Sequence, residues 1–87
     1  MITIEKLKIY QKYHGDGDMW NRLATDEENQ ILQFSDWKII DDLIQDLILM
    51  LKVKISDDYS LKIETKLLEN CDNQSTVTYI KEIAINL

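Results

Sequence analysis

Proline is absent from this 87-residue chain, and only two residues are glycine. No ring interrupts the backbone hydrogen-bond ladder, so helices can run long, and turns must be built from Asp, Asn and Ser. Cysteine is represented by Cys71 alone. This excludes an intrachain disulfide and a cysteine-built zinc module, and it suits a reducing compartment, so the cytoplasm is the expected location. Long hydrophobic runs are missing too. The longest near-apolar stretch, residues 43–51, is interrupted by Gln45 and Asp46 and is too short to span a bilayer. Residues 1–13 are rich in Lys and Glu and contain no apolar run of signal-peptide length, so no membrane contact is expected.

Positive charge is scarce. Ten basic residues face sixteen acidic ones, for a net charge of −6 and a pI near 4.6. Such a surface repels phosphate backbones, which disfavours nucleic acid as a partner. The same field attracts a basic protein and speeds the encounter. The charge also serves solubility, whatever else it does.

What is present is an ordinary folding composition, 45% hydrophobic, in a chain of single-domain length. A chain this short buries somewhat more than ~60% of the surface it exposes when unfolded. That is enough for one core, with little area left for a deep substrate pocket.

The apolar spacing predicts an all-α compact bundle of four main helices plus a short helix or turn. The first helix covers about residues 3–13, with Thr3 as N-cap and Leu7, Tyr10 and Tyr13 on one face. Gly15 is placed to end it in the left-handed conformation. Asp18 can then cap a short turn through Met19, Trp20 and Leu23. Thr25 and Glu28 have the spacing of a capping box opening a short helix or turn. Ser35 is the expected cap of the strongest helix, residues 36–52. Trp37, Ile40, Leu43, Ile44, Leu47, Ile48, Met50 and Leu51 cover about half of its circumference, and Asp41, Asp42, Gln45 and Lys38 lie outside. Leu49 falls within that polar face. Ser56 opens a fourth helix ending near Asn70, with Tyr59, Ile63 and Leu67 in a row and Leu61 and Leu68 beside it. Asp72 caps the last, with Val77, Ile80, Ile83, Ala84 and Leu87 on one face. A β-hairpin over 51–65 is the alternative, since residues 51–55 and 61–65 both alternate apolar and polar. Ile63, Leu67 and Leu68 nevertheless continue a helical stripe through the second segment.

Catalytic motifs are sparse. His14 is the sole histidine and lies far in sequence from Cys71, so a Cys-His or Ser-His-Asp set is not suggested. No two ligands stand at metal-binding spacing. Gly15-Asp16-Gly17 lacks the third glycine of a phosphate loop and carries acids where phosphate would sit. Read as an EF-hand, Asp16 would be position 1, but Trp20 and Asn21 then occupy positions that require a carboxylate and a glycine. The pairs Asp41/Asp42 and Asp57/Asp58 suit an outer helix face and a helix start better than an acid–base site. Neither a metal, a cofactor nor an enzyme activity is expected.

The remaining constellation combines Tyr13, Asp16, Asp18, Trp20 and Arg22 with Trp37 and the acids Asp41, Asp42 and Asp46. Its structural reading puts the tryptophans in the core and pairs Arg22 with Asp16 or Asp18. Its functional reading is a recognition surface, because exposed Trp, Tyr and Arg anchor interfaces. The pattern Tyr10-x-x-Tyr13-x-Gly15-Asp16-x-Asp18-x-Trp20-x-Arg22, with the later Leu68-x-Asn70-Cys71-Asp72, resembles a group of small, mostly uncharacterised bacterial helical proteins. The resemblance covers nearly the whole chain and implies a compact helical domain with no established chemistry. It favours a binding protein, and an immunity protein that neutralises a basic toxin domain is the leading expectation. The expected partner-binding residues are Asp16, Asp18, Trp20, Arg22, Asp41, Asp42 and Asp46. A non-catalytic interaction module, monomeric or weakly homodimeric through Leu49, is the alternative.

Overall fold

The computed structural model describes residues 1–87 and contains six α-helices and no strand: α1 (Ile4–Lys12), α2 (Gly17–Leu23), α3 (Asp26–Ile31), α4 (Phe34–Lys52), α5 (Asp57–Asn70) and α6 (Gln74–Ile85). α4, at nineteen residues, is the long axis of the bundle, and the other long helices pack along it. Its face of Trp37, Ile40, Leu43, Ile44 and Leu47 is buried. Each such side chain contributes about 1.5–3 kcal/mol by leaving water. Leu7 and Tyr10 of α1, Ile63 and Leu67 of α5, and Val77, Ile80, Ile83 and Ala84 of α6 close the same core around it.

The expected all-helical architecture holds, and the segment 51–65 forms no hairpin. α4 runs to Lys52, residues 53–56 link, and Ser56 caps α5 by accepting from the Tyr59 N–H at 3.3 Å. Alternation lost to helical spacing because Ile63 and Leu67 have a core to enter, whereas a two-stranded ribbon would have left them without one. The short region after the first helix is richer than expected. It holds two helices, of seven and six residues.

Three caps differ from the sequence expectation. Asp16, not Asp18, starts α2, and its carboxylate accepts from the N–H groups of Asp18 and Met19 at 3.0 and 3.2 Å. Gln33, not Ser35, precedes α4. Leu32 is fully buried and fixes the turn, and Asp36 reaches back to the Gln33 N–H at 3.2 Å. Asn73, not Asp72, caps α6 by accepting from Thr76 N–H at 3.1 Å. Asp72 has other work. Its N–H donates to the Ile2 carbonyl at 3.0 Å, while the Ile2 N–H donates to Asn70 O at 2.7 Å. These two bonds form a single parallel bridge between Ile2 and Cys71 that ties the N-terminal segment to the α5–α6 junction. Ile2 and Cys71 are both buried there.

The apolar faces are narrower than their spacing suggested. Leu51, Tyr59, Leu61, Leu68 and Leu87 are exposed. An 87-residue bundle has too few helices to surround α5 and the end of α4, so their outer rows meet solvent.

The α1–α2 turn is the tightest place in the chain. His14 and Gly15 both adopt positive φ, 55° and 66°. Gly15 donates to Tyr10 O at 3.1 Å. A Cβ on Gly15 would lie 2.9 Å from the Tyr10 hydroxyl, whereas one on Gly17 would meet the Trp37 indole at an ordinary 3.5 Å. Gly15→Ala should therefore lower stability in urea titration by about 1–2 kcal/mol or more, the cost of the left-handed backbone plus the contact. Gly17→Ala should change it by under about 0.5 kcal/mol. Equal effects at the two positions would contradict this account.

Candidate functional site

α1, α4 and α6 do not meet along their whole lengths. Between them lies a groove of about 550 Å³, half open to solvent, lined by Tyr10, Gln11, His14, Gly15, Asp41, Gln45, Tyr79, Glu82, Ile83, Asn86 and Leu87. Its volume falls within the ~300–1,000 Å³ of small-ligand and side-chain sites.

An aromatic series behind the groove reaches its lining through Tyr10. Trp20 stacks on Trp37 with ring centroids 4.7 Å apart and planes 11° from parallel. Tyr10 packs on the other side of that unit, 4.6 Å from Trp37 at a 45° tilt. Such contacts add about 0.5–1.5 kcal/mol each beyond burial. With its ring so held, the Tyr10 hydroxyl donates to Asp41 Oδ1 at 2.9 Å. Burial, then the bond to Asp41 and its charge, push the Tyr10 phenol well above the ordinary range. Across the groove, the Tyr79 hydroxyl of α6 donates to Gln11 Oε1 of α1 at 2.5 Å.

A second polar knot lies where α1 meets α3. Glu28 completes the capping box with Thr25, accepting from its N–H at 3.0 Å. It also accepts from the Tyr13 hydroxyl at 2.5 Å and Lys12 Nζ at 2.9 Å. The Thr25 N–H, then the Tyr13 and Lys12 donors, hold its carboxyl down at about 2.

The seven expected site residues fall in four places. Asp41 is in the groove, half-buried. Asp42 and Asp46 face α5, where Asp46 meets Lys66 Nζ at 2.6 Å and both acids hold the Lys66 ammonium protonated above its usual range. Asp16 spends its carboxylate capping α2, and Asp18 pairs with Arg22 at 3.3 Å on the exposed side of that helix. So exposed a pair contributes about 0–1 kcal/mol. Trp20 is buried at 7% exposure. It is therefore removed as a contact anchor, because its indole is needed against Trp37. Its N–H is buried without a partner.

Tyr79, Glu82 and Asn86 were not singled out from the sequence. Their i, i+3, i+7 spacing puts them on one side of α6, but a polar helix side is normally only solvated. Nothing short of the α1–α4–α6 packing turns it into a wall. Gln11 on α1 was not singled out either, and His14, read from the sequence only as the sole histidine, sits in the turn after α1.

No three His, Cys, Asp or Glu side chains gather as metal ligands. No helix is long and apolar enough to cross a membrane. Cys71 lies away from the groove, and burial, with Asp72 beside it, raises its thiol pKa.

These environments give the molecule a pH profile. Glu28 is depressed from 4.5 to about 2. Its contribution is present above the unfolded-state value near 4.5 and is lost as pH falls toward 2. Tyr10 is raised from 10.0. Its contribution is present below pH 10 and declines above it, where only the unfolded chain ionises. Chemical denaturation across pH should show both declines, with Glu28→Gln removing the acid one and Tyr10→Phe the alkaline one. An unchanged acid limb in Glu28→Gln would refute the assignment.

No family model, no curated protein and no solved structure matches the chain.

Proposed function

We propose that the chain is a small, non-catalytic domain that binds a basic protein, and that its role is neutralisation of that partner, as immunity proteins neutralise toxins. The imbalance of surface charge carries this reading. Of sixteen acidic and ten basic residues, only five of each are joined in ion pairs: Lys6–Asp36, Lys12–Glu28, Arg22–Asp18, Lys66–Asp46 and Lys81–Glu64. Eleven acids are left without a cationic partner against five bases. An excess of this kind steers a basic partner in and repels a second acidic copy.

The groove and the exposed acids offer acceptors and dipoles, while the thiol is buried and raised, the opposite of an activated nucleophile. The resemblance of the Gly15–Arg22 loop to small bacterial helical proteins points in the same direction.

Co-expression with a basic toxin domain encoded beside its own gene should restore growth. The association rate should fall roughly tenfold or more as salt is raised from low ionic strength. Asp18→Lys combined with Asp42→Lys should slow association while leaving thermal unfolding nearly unchanged. Absence of protection, together with no retention of any basic protein on the immobilised domain, would discard the reading.

A second reading has its own observation. Leu61 and Leu68, seven residues apart on α5, are 66% and 63% exposed. They form a stripe that a copy of the chain would cover. Sedimentation at micromolar concentration showing a monomer would remove it.

A further inference from the structure

We propose that the groove between α1, α4 and α6 receives a basic side chain, arginine in preference to lysine, projecting from the partner protein. The inference rests on the reading of the chain as an acidic binding domain and gives that reading a specific seat.

The groove's hydroxyl donors are already used. Tyr10 gives its only hydroxyl proton to Asp41, and Tyr79 gives its own to Gln11. The Asn86 amide donates to the Glu82 backbone carbonyl at 2.9 Å. The charged groups left in the lining are both acceptors, the remaining lone pairs of Asp41 and the carboxylate of Glu82, with the neutral amides of Gln45 and Asn86 beside them. No lysine or arginine lines it. Lys81, next to Glu82 in sequence, turns away to Glu64 on α5 at 2.8 Å. Lys52 touches only the carbonyl of Leu87 at one end. His14, exposed at the rim, is the single lining side chain able to become cationic.

A guanidinium carries five donors and no acceptor, so it answers this lining group for group. Two carboxylates allow charge-assisted bonds, which are about twice as strong as neutral ones. The partly exposed ring of Tyr79 provides an aromatic surface for a planar cation. Ile83 and Leu87 give the methylene stem an apolar track. Lysine fits the charge but not the planar fork. A second copy of this chain, itself at −6, is opposed by the same field.

The test is an NMR titration of the full-length 15N-labelled chain with three short glycine-flanked peptides, carrying arginine, lysine or norleucine. The arginine peptide should move the amides of Gln11, His14, Gln45, Glu82 and Asn86. Lysine should act more weakly and norleucine not at all, and high salt should reduce the effect. Glu82, which makes no ion pair, can be changed with little risk to folding. Glu82→Gln should weaken the arginine peptide by about tenfold, the worth of one charged hydrogen bond, while Asp57→Asn should leave it unchanged. Equal binding of norleucine, shifts spread evenly over the acidic surface, or indifference to Glu82→Gln would overturn the proposal. Capture of a basic partner unaffected by Glu82→Gln would overturn the groove as its seat while leaving the acidic binding domain standing. Arginine binding in the groove with no partner captured would support the groove and count against the binding-domain reading alone.

Discussion

The stack of Trp20 on Trp37, extended by Tyr10, is the contact on which the rest of the molecule is hung. It joins α2, α4 and α1 at one point. α2 is only seven residues long. A helix of that length is marginal by itself and persists here because Trp20 is held against α4. The stack also explains the backbone turn above it. To deliver Trp20 to Trp37 straight after Tyr10, the chain must reverse within His14–Gly15, and it does so through two residues of positive φ. The buried, unpartnered N–H of Trp20 is a cost of about 1–3 kcal/mol that this arrangement carries.

The same contact sets the electrostatics of the groove. With its ring fixed, Tyr10 can point its hydroxyl at Asp41, and that bond holds the carboxylate at the groove's edge instead of letting it turn to bulk water. Gly15 lies directly over the Tyr10 hydroxyl, so the turn, the aromatic series and the acceptor wall form one unit. The groove's α1–α4 side is thus held by the Tyr10–Asp41 bond and the Tyr10–Trp37 contact. Its α6 side is held by Tyr79 to Gln11 and by the core residues Ile80 and Ile83.

The acidic exterior divides into acids already answered and acids left open. Asp36, Asp46, Glu28 and Glu64 are tied to lysines of neighbouring elements, and Asp18 pairs with Arg22 within α2. Asp16 serves a cap. Apart from Asp18, those acids act inside the fold. Among the acids left without a cationic partner, Asp41 and Glu82 line the groove. The groove's open carboxylates therefore lie on α4 and α6, away from the α2 loop that carries Trp20 and Arg22.

The residues taken alone determined that the chain is all-helical, where its long helices lie, that Thr25 and Glu28 cap α3 and that Gly15 reverses the chain. Those features depend on neighbours within about four positions, and helical period and turn chemistry are local. The caps of α4 and α6 were missed by one or two residues because Leu32 and the Ile2–Cys71 bridge, both tertiary, chose them. Leu61 and Leu68 looked like core and are not, since spacing marks an apolar stripe but not whether a helix exists to cover it. Only the tertiary structure could withdraw Trp20 into the stack, commit Asp46 to Lys66, and bring Asp41 opposite Tyr79 and Glu82. Those pairings span from about seventeen to about forty residues of chain, and their geometry comes from how helices pack, which no local pattern encodes.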